Sequence, residues 1–216
     1  MEENMFRSFW PLGLLVFVLA FCGLGDRLKE ISGGSNTSSN TATAPEKDKK
    51  DDVEVEKATL NGAQQAIKDG GTEVKWDDQN ISFTVPGSWK KMNVSKQSFN
   101  YGSPDNAFLI ATISDLPSSV PADVSLKATY ESALENLKQG KYEKVRWVEI
   151  DGIKGVEWWE AMPQDKGDPR RYQWIAFRNY QGQNQQLNII LSTKASNFDK
   201  HRDDFPAVMY SMKIAK

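Results

Sequence analysis

His201 is the one imidazole in the 216-residue chain, so hydrolase chemistry with a histidine base has to pass through it. A serine, cysteine or threonine nucleophile needs such a base beside it. No Gly-x-Ser-x-Gly turn accompanies this histidine. Asp199, Asp203 and Asp204 crowd the same segment and suggest a metal set. Ligands bunched on one helix, however, lack the spread that a closed site requires, so solvated charges are expected there. Asp165 and Asp168, in the loop 164–169, bring too few oxygens for calcium. Gly33-Gly34 and Gly70-Gly71 match no phosphate loop. Glu149, Glu157 and Glu160 alternate with apolar residues and read as outward positions of a sheet. An enzyme of unfamiliar type using these carboxylates is the remaining catalytic reading. The expectation is no catalytic residue, no metal and no cofactor.

The aromatic residues carry a stronger signal. Trp147, Trp158, Trp159 and Trp174 fall between residues 142 and 180, beside Tyr172 and Tyr180, with Arg170, Arg171 and Arg178 among them. Trp158 and Trp159 are adjacent, so on a strand they point to opposite faces. Either helices cover both faces, or one face shows an aromatic patch. Aromatic residues with arginine are the composition of interface hot spots. The expected binding surface is therefore Trp158, Trp159, Tyr172, Trp174, Arg170 and Arg171, facing a protein or envelope component. The alternative is a small-ligand carrier with a tryptophan-lined pocket between sheet and helix.

Charge narrows the partners. The chain carries a formal −2, and from Ile81 onward 18 Lys plus Arg face 15 Asp plus Glu, a scattered +3. No nucleic-acid partner is expected from such a balance. Cys22 is the single cysteine, which excludes an intrachain disulfide. It lies inside an uncharged apolar run, residues 9–24, that is short for a spanning helix and long enough for a signal segment. Leu19-Ala20-Phe21-Cys22, followed by Gly23, resembles the lipobox of bacterial lipoproteins, although the bulky Phe21 stands where that family has a small residue. The resemblance implies acylation of Cys22 and a membrane-anchored, exported domain. An uncleaved anchor and simple secretion are the alternatives. Residues 32–44 are small and polar, and residues 45–57 are mixed in charge, composition that cannot bury a core. A flexible tether of this kind spans roughly 30 Å r.m.s.. Residues 1–25 are thus read as signal or anchor. Residues 26–75 are read as linker with a possible short helix at 58–69, and 76–216 as the domain.

The domain must position whatever the chain uses. Ile81, Phe83 and Val85 alternate with Ser82 and Thr84, a half-buried strand stopped by Pro86-Gly87. A second strand is expected at 97–101, and a central one, covered on both faces, at 107–116. Leu126, Tyr130, Ala133, Leu134 and Leu137 fall at helical spacing, with Asp123 or Ser125 as cap and Gly140 as stop. Four strands then read as a meander: residues 142–150, 153–162, 170–180 and 185–193. Asp151-Gly152 and Gln181-Gly182 supply two of its turns. A final helix opens at Ser196 and Asp199, with a kink or restart at Pro206. Hairpins with two long helices give an α+β class, an antiparallel sheet carrying helices as an α/β/α sandwich.

The opening Ile81-Ser82-Phe83-Thr84-Val85 with Pro86 and Trp89, and the close Ser211-Met212-Lys213-Ile214, resemble the PsbP-like fold over roughly residues 79–214. That superfamily includes the extrinsic PsbP subunit of photosystem II, a eukaryotic Ran-binding factor and exported bacterial proteins of unknown function. The resemblance implies a binding or assembly role, and it transfers no functional residue. The combined expectation is a non-enzymatic, envelope-tethered binding module.

Overall fold

The computed structural model describes residues 54–215. Cys22, the apolar run and most of the expected tether lie outside the described residues. Eleven strands and three α-helices are formed among those described. They are β1 (Glu56–Lys57), α1 (Gly62–Asp69), β2 (Thr72–Trp76), β3 (Ile81–Val85), β4 (Lys90–Val94), β5 (Ser98–Gly102) and β6 (Phe108–Leu116). Then follow α2 (Ala122–Lys138), β7 (Tyr142–Ile150), β8 (Ile153–Glu160), β9 (Pro169–Tyr180), β10 (Gln183–Lys194), α3 (Asp204–Tyr210) and β11 (Lys213–Ile214).

The class is α+β. Eight strands make one sheet in the order β1-β7-β8-β9-β10-β6-β5-β4, antiparallel except for β1 beside β7. A smaller antiparallel sheet runs β11-β3-β2. Period-2 burial explains the strands: β9 buries Arg170, Tyr172, Trp174, Ala176 and Arg178 and sends the residues between them to the other face. The turns are local chemistry. Asp151 and Gly152 have φ of 49° and 79°, and Gln181 and Gly182 have 53° and 79°, the paired positive φ of a tight hairpin turn.

One face of the large sheet meets the small sheet, α3 and a 3-10 turn over Ala195–His201. The core between them includes Trp76, Phe83, Phe99, Tyr172, Trp174, Leu187, Phe198 and Phe205. On the other face α2 crosses β7, β8 and β9, laying Leu126 and Ala133 over Trp147, Val156 and Trp158.

Four details depart from the expectations. Residues 54–75 belong to the compact unit rather than to a linker: β1 pairs with β7, β2 pairs with β3, and α1 starts in a capping box of Asn61 and Gln64. Backbone pairing at a sheet edge needs few apolar residues, so these stretches look like tether. Strand β4, exposed over four of its five residues, has no periodicity to reveal it. Helix α2 begins after Pro121 without a side-chain cap, and Asp123 instead lies in its first turn, where the helix dipole favours a carboxylate. Strand β6 is buried at Leu109, Ala111 and Ile113 but only half-buried at Phe108, Ile110 and Thr112, so one of its faces is open. The last segment restarts as expected: α3 opens at Asp204, which puts Pro206 in a first turn where its missing N–H costs nothing.

Candidate functional site

The expected aromatic surface lies inside the protein. Tyr172 and Trp174 are fully buried, Trp158 and Trp159 are 5% and 8% exposed, and Arg170 is 2% exposed. Of the six residues only Arg171 keeps substantial exposure, 43% of its side chain. Trp158 and Trp159 do point to opposite faces, but both faces are covered at that point, by α2 on one side and by the Ala195–His201 turn with α3 on the other. Gly155 lets Trp174 approach the backbone, and the Trp174 indole donates to the Val148 carbonyl at 3.2 Å. Arg170 donates to the Glu160 carbonyl at 2.8 Å and to Glu143 at 2.5 Å, with its guanidinium over the Phe198 ring. Trp174 and Arg170 are thus tied to the fold by their own partners.

Glu157 is not an outward position either; it is fully buried. Its Oε2 accepts the hydroxyl protons of Tyr172 and Tyr210, each at 2.6 Å, and its Oε1 accepts from Arg146 Nε at 2.7 Å. Arg146 also pairs with Glu56 and donates to the Tyr210 hydroxyl at 2.6 Å. Burial, then the Glu157 charge, pushes both tyrosines above the ordinary phenol range, so both remain donors. Burial opposes the charge on Arg146, but Glu157 outweighs it and holds the guanidinium protonated. Three of the roughly four acceptor directions of this carboxylate are taken, which suits a joint between β1, β7, β8, β9 and α3 rather than a proton-transfer group.

His201 is buried, contrary to the solvated reading. Its Nδ1 lies 2.7 Å from Asp204 and its Nε2 3.1 Å from Asp105, and the ring stacks on Phe205. Asp105 reaches it from the loop between β5 and β6, 96 residues away in sequence, a partner that no local spacing could reveal. The Lys200 ammonium at 2.5 Å and the Ser103 hydroxyl at 2.6 Å hold the Asp105 carboxyl well below the usual carboxylate range. Ser103 donates to Asp105, not to the imidazole, so no nucleophile is paired with this base. Among the described residues no group of three or more His, Cys, Asp or Glu side chains is arranged to hold a metal ion.

What the sheet leaves open is the half that α2 does not cross. Two rows run across it in register: Asn100, Ile110, Ile190 and Gln173, then Ser98, Thr112 and Asn188, the second stopping short of Ile175, which packs under α2. These side chains are half-exposed and uncharged. Gln173 donates to Asn188 at 2.7 Å across the strands, and the Asn100 side-chain oxygen is buried with no donor among the described residues. Met92, 61% exposed, reaches in from β4 beside Gly102 and Phe108. Lys90 and Lys91 stand at the edge. Sequence reading missed this face because its residues are the ordinary polar half of alternating strands.

No described helix is long and apolar enough to cross a membrane. No protein-family model matches the chain, and no curated protein does. Solved structures show a distant likeness. A Bacteroides thetaiotaomicron protein is 16% identical over 63% of this chain, TM-score 0.42, and the chain spans 45% of that protein's length. LpqN of Mycobacterium tuberculosis, involved in cell envelope biogenesis, is 15% identical over 68% of this chain and 86% of its own, TM-score 0.49. The cyanobacterial PsbP of Synechocystis is 15% identical over 68% and 94%, TM-score 0.42.

Proposed function

We propose that the chain is a non-enzymatic, envelope-tethered binding module that takes a protein partner on the open half of its large sheet. The observation that carries this reading is the pair of uncharged cross-strand rows, Asn100 to Gln173 and Ser98 to Asn188, which no charge interrupts. Depletion of charge at the centre, with neutral amides and aliphatic side chains, is the composition of a protein–protein interface core. The lysines at β4 then form its rim. The donorless oxygen of Asn100 is satisfied when a partner backbone N–H or hydroxyl closes over it. The apolar run 9–24 and the lipobox-like Cys22 support the tether.

The test is photo-cross-linking in intact cells, with a benzophenone side chain placed at Ile110 or, as a control, at Gln65 on α1. The Ile110 chain is expected to form a discrete adduct that Ile190→Arg abolishes without unfolding the domain. Adducts of equal yield from both positions, or adducts insensitive to Ile190→Arg, would remove the sheet face from the proposal. Detergent-phase partition of Cys22→Ala against the native chain checks the tether: loss of partition is expected, and retention contradicts acylation at this cysteine.

A further inference from the structure

Helix α2 rests on two buried indoles that have no acceptor. Trp147 and Trp158 are each 5% exposed, and neither ring N–H has a hydrogen-bond partner among the described residues. A buried donor left unpaired forfeits its hydration without compensation. The contrast lies within the same protein. On the opposite face Trp76 donates to the Ser95 carbonyl at 2.7 Å and Trp174 to the Val148 carbonyl. The deficit is therefore a property of the layer under α2.

Two cavities open at the ends of that helix. One, of about 320 Å³, lies at its start and is lined by Ala122, Leu126, Ile153, Lys154 and Phe177 among others. The Lys154 ammonium sits over the Trp147 ring, 4.1 Å from its centroid. The other, of about 380 Å³, lies at its end and is lined by Asn136, Tyr142, Met162 and Pro163 among others. Tyr142 stacks on Trp158 with 5.6 Å between centroids. Each unpaired indole thus lies directly behind a side chain that lines a cavity. The helix is held lightly over this layer. Of its 17 residues only Leu126 and Ala133 are buried, it has no side-chain cap, and Val124 is 64% exposed.

We infer that the seam between α2 and the large sheet is a binding site for a long-chain carboxylic acid. The aromatic and aliphatic layer demands an apolar body. The two N–H groups demand an oxygen acceptor. At the mouth Lys154 and Arg178 outweigh Asp123, which favours an anion over a neutral head group. The acid enters at the start of α2, Lys154 swings from the Trp147 ring to the carboxylate, and indole N–H groups donate to its oxygens. The chain then lies beneath α2 towards Tyr142. This site is separate from the open half of the sheet, and either reading stands without the other.

The experiment titrates the full chain with stearic acid dibrominated at mid-chain, which quenches indole fluorescence on contact. Saturable quenching is expected. Trp147→Phe and Trp158→Phe keep an aromatic ring and remove the N–H, and each should weaken affinity about fivefold, the worth of one hydrogen bond. Lys154→Gln should weaken it similarly, and Trp76→Phe, on the other face, should leave it unchanged. No saturable quenching of the folded chain, or equal affinity in all four variants, overturns the inference. A readout on the unmodified chain guards against variants that fail to fold. The indole nitrogen–proton resonances of Trp147 and Trp158 should move on addition of stearate while that of Trp76 stays. Stationary Trp147 and Trp158 resonances overturn the inference as well.

Discussion

Glu157 shows how much a single side chain depends on its surroundings. A carboxylate with two tyrosine hydroxyls and a guanidinium on it is fully compensated, but only as a set. Removing one member leaves a buried charge without its partner, which costs about 3–5 kcal/mol. Glu157→Gln keeps the shape and an acceptor oxygen for the tyrosines while leaving Arg146 opposite a neutral amide. We expect a loss of roughly 3 kcal/mol in urea unfolding by that reasoning; a loss too small to measure would mean that Glu56 alone compensates Arg146. Asp105 yields a pH prediction. Its carboxyl is lowered in the fold by Lys200 and Ser103, so the folded state holds that proton more weakly than the unfolded chain. The stability it brings is full above its unfolded value, about 4, and is lost as pH falls below that. Asp105→Asn should therefore destabilise the protein at pH 7, by an amount that shrinks on acidification below about pH 4. The side chain is about one-third exposed, 34%, so screening keeps the effect modest. A penalty independent of pH would assign the clasp to shape rather than to charge.

At the scale of elements, β8 is shaped by a close approach that its sequence does not advertise. A Cβ on Gly155 would lie 2.4 Å from the Trp174 indole and 2.6 Å from the Ile175 carbonyl oxygen, and the latter is backbone that cannot step aside. Gly155→Ala should cost at least the 1–3 kcal/mol usual for overpacking, measured by thermal or urea unfolding. Gly62→Ala at the start of α1 is the control, because nothing lies within 4 Å of a Cβ there. It should be neutral or slightly stabilising, by a few tenths of a kcal/mol. Equal penalties at the two glycines would contradict the packing account. The strands and α2 were legible in the sequence, through alternation at Ile81, Phe83 and Val85 and helical spacing at Leu126, Tyr130 and Ala133. Strands β1, β2, β4 and β11 were not, because edge pairing draws on backbone hydrogen bonds rather than on an apolar pattern.

For the molecule as a whole, Arg178 fastens the two sheets together. From β9 it donates to the Gln79 carbonyl at 3.0 Å, to the Gln79 side chain at 2.8 Å and to the Ala215 carbonyl at 3.1 Å. Gln79 precedes β3 and Ala215 follows β11, and these strands pair antiparallel with Ile81 opposite Ile214, so one guanidinium holds the shared end of the small sheet. Burial lowers its pKa, and the Tyr180 ring lies beneath it. Arg178→Met keeps the length and leaves the Gln79 and Ala215 carbonyls without this donor. We expect a loss of about 2–4 kcal/mol, from charged hydrogen bonds of about 1.5–3 kcal/mol each partly replaced by water. Amide exchange should accelerate first in β2, β3 and β11. Uniform acceleration across both sheets would show that the small sheet does not depend on this contact.

The sequence by itself determined the α+β class, the two positive-φ hairpin turns, helix α2 and a break, kink or restart, at Pro206. Each follows from residue types within a few positions of one another, where φ preference, capping and periodicity act. It left open which strand faces would be covered, because adjacent residues such as Trp158 and Trp159 obey the same alternation whether one layer or two lie over them. Tertiary structure decided that both are buried, that Glu157 is internal and that His201 meets Asp105. It also decided that the free face lies on β10, β6, β5 and β4. Those outcomes depend on where elements many residues apart come to pack, and burial and ion pairing are properties of that packing rather than of the local chain.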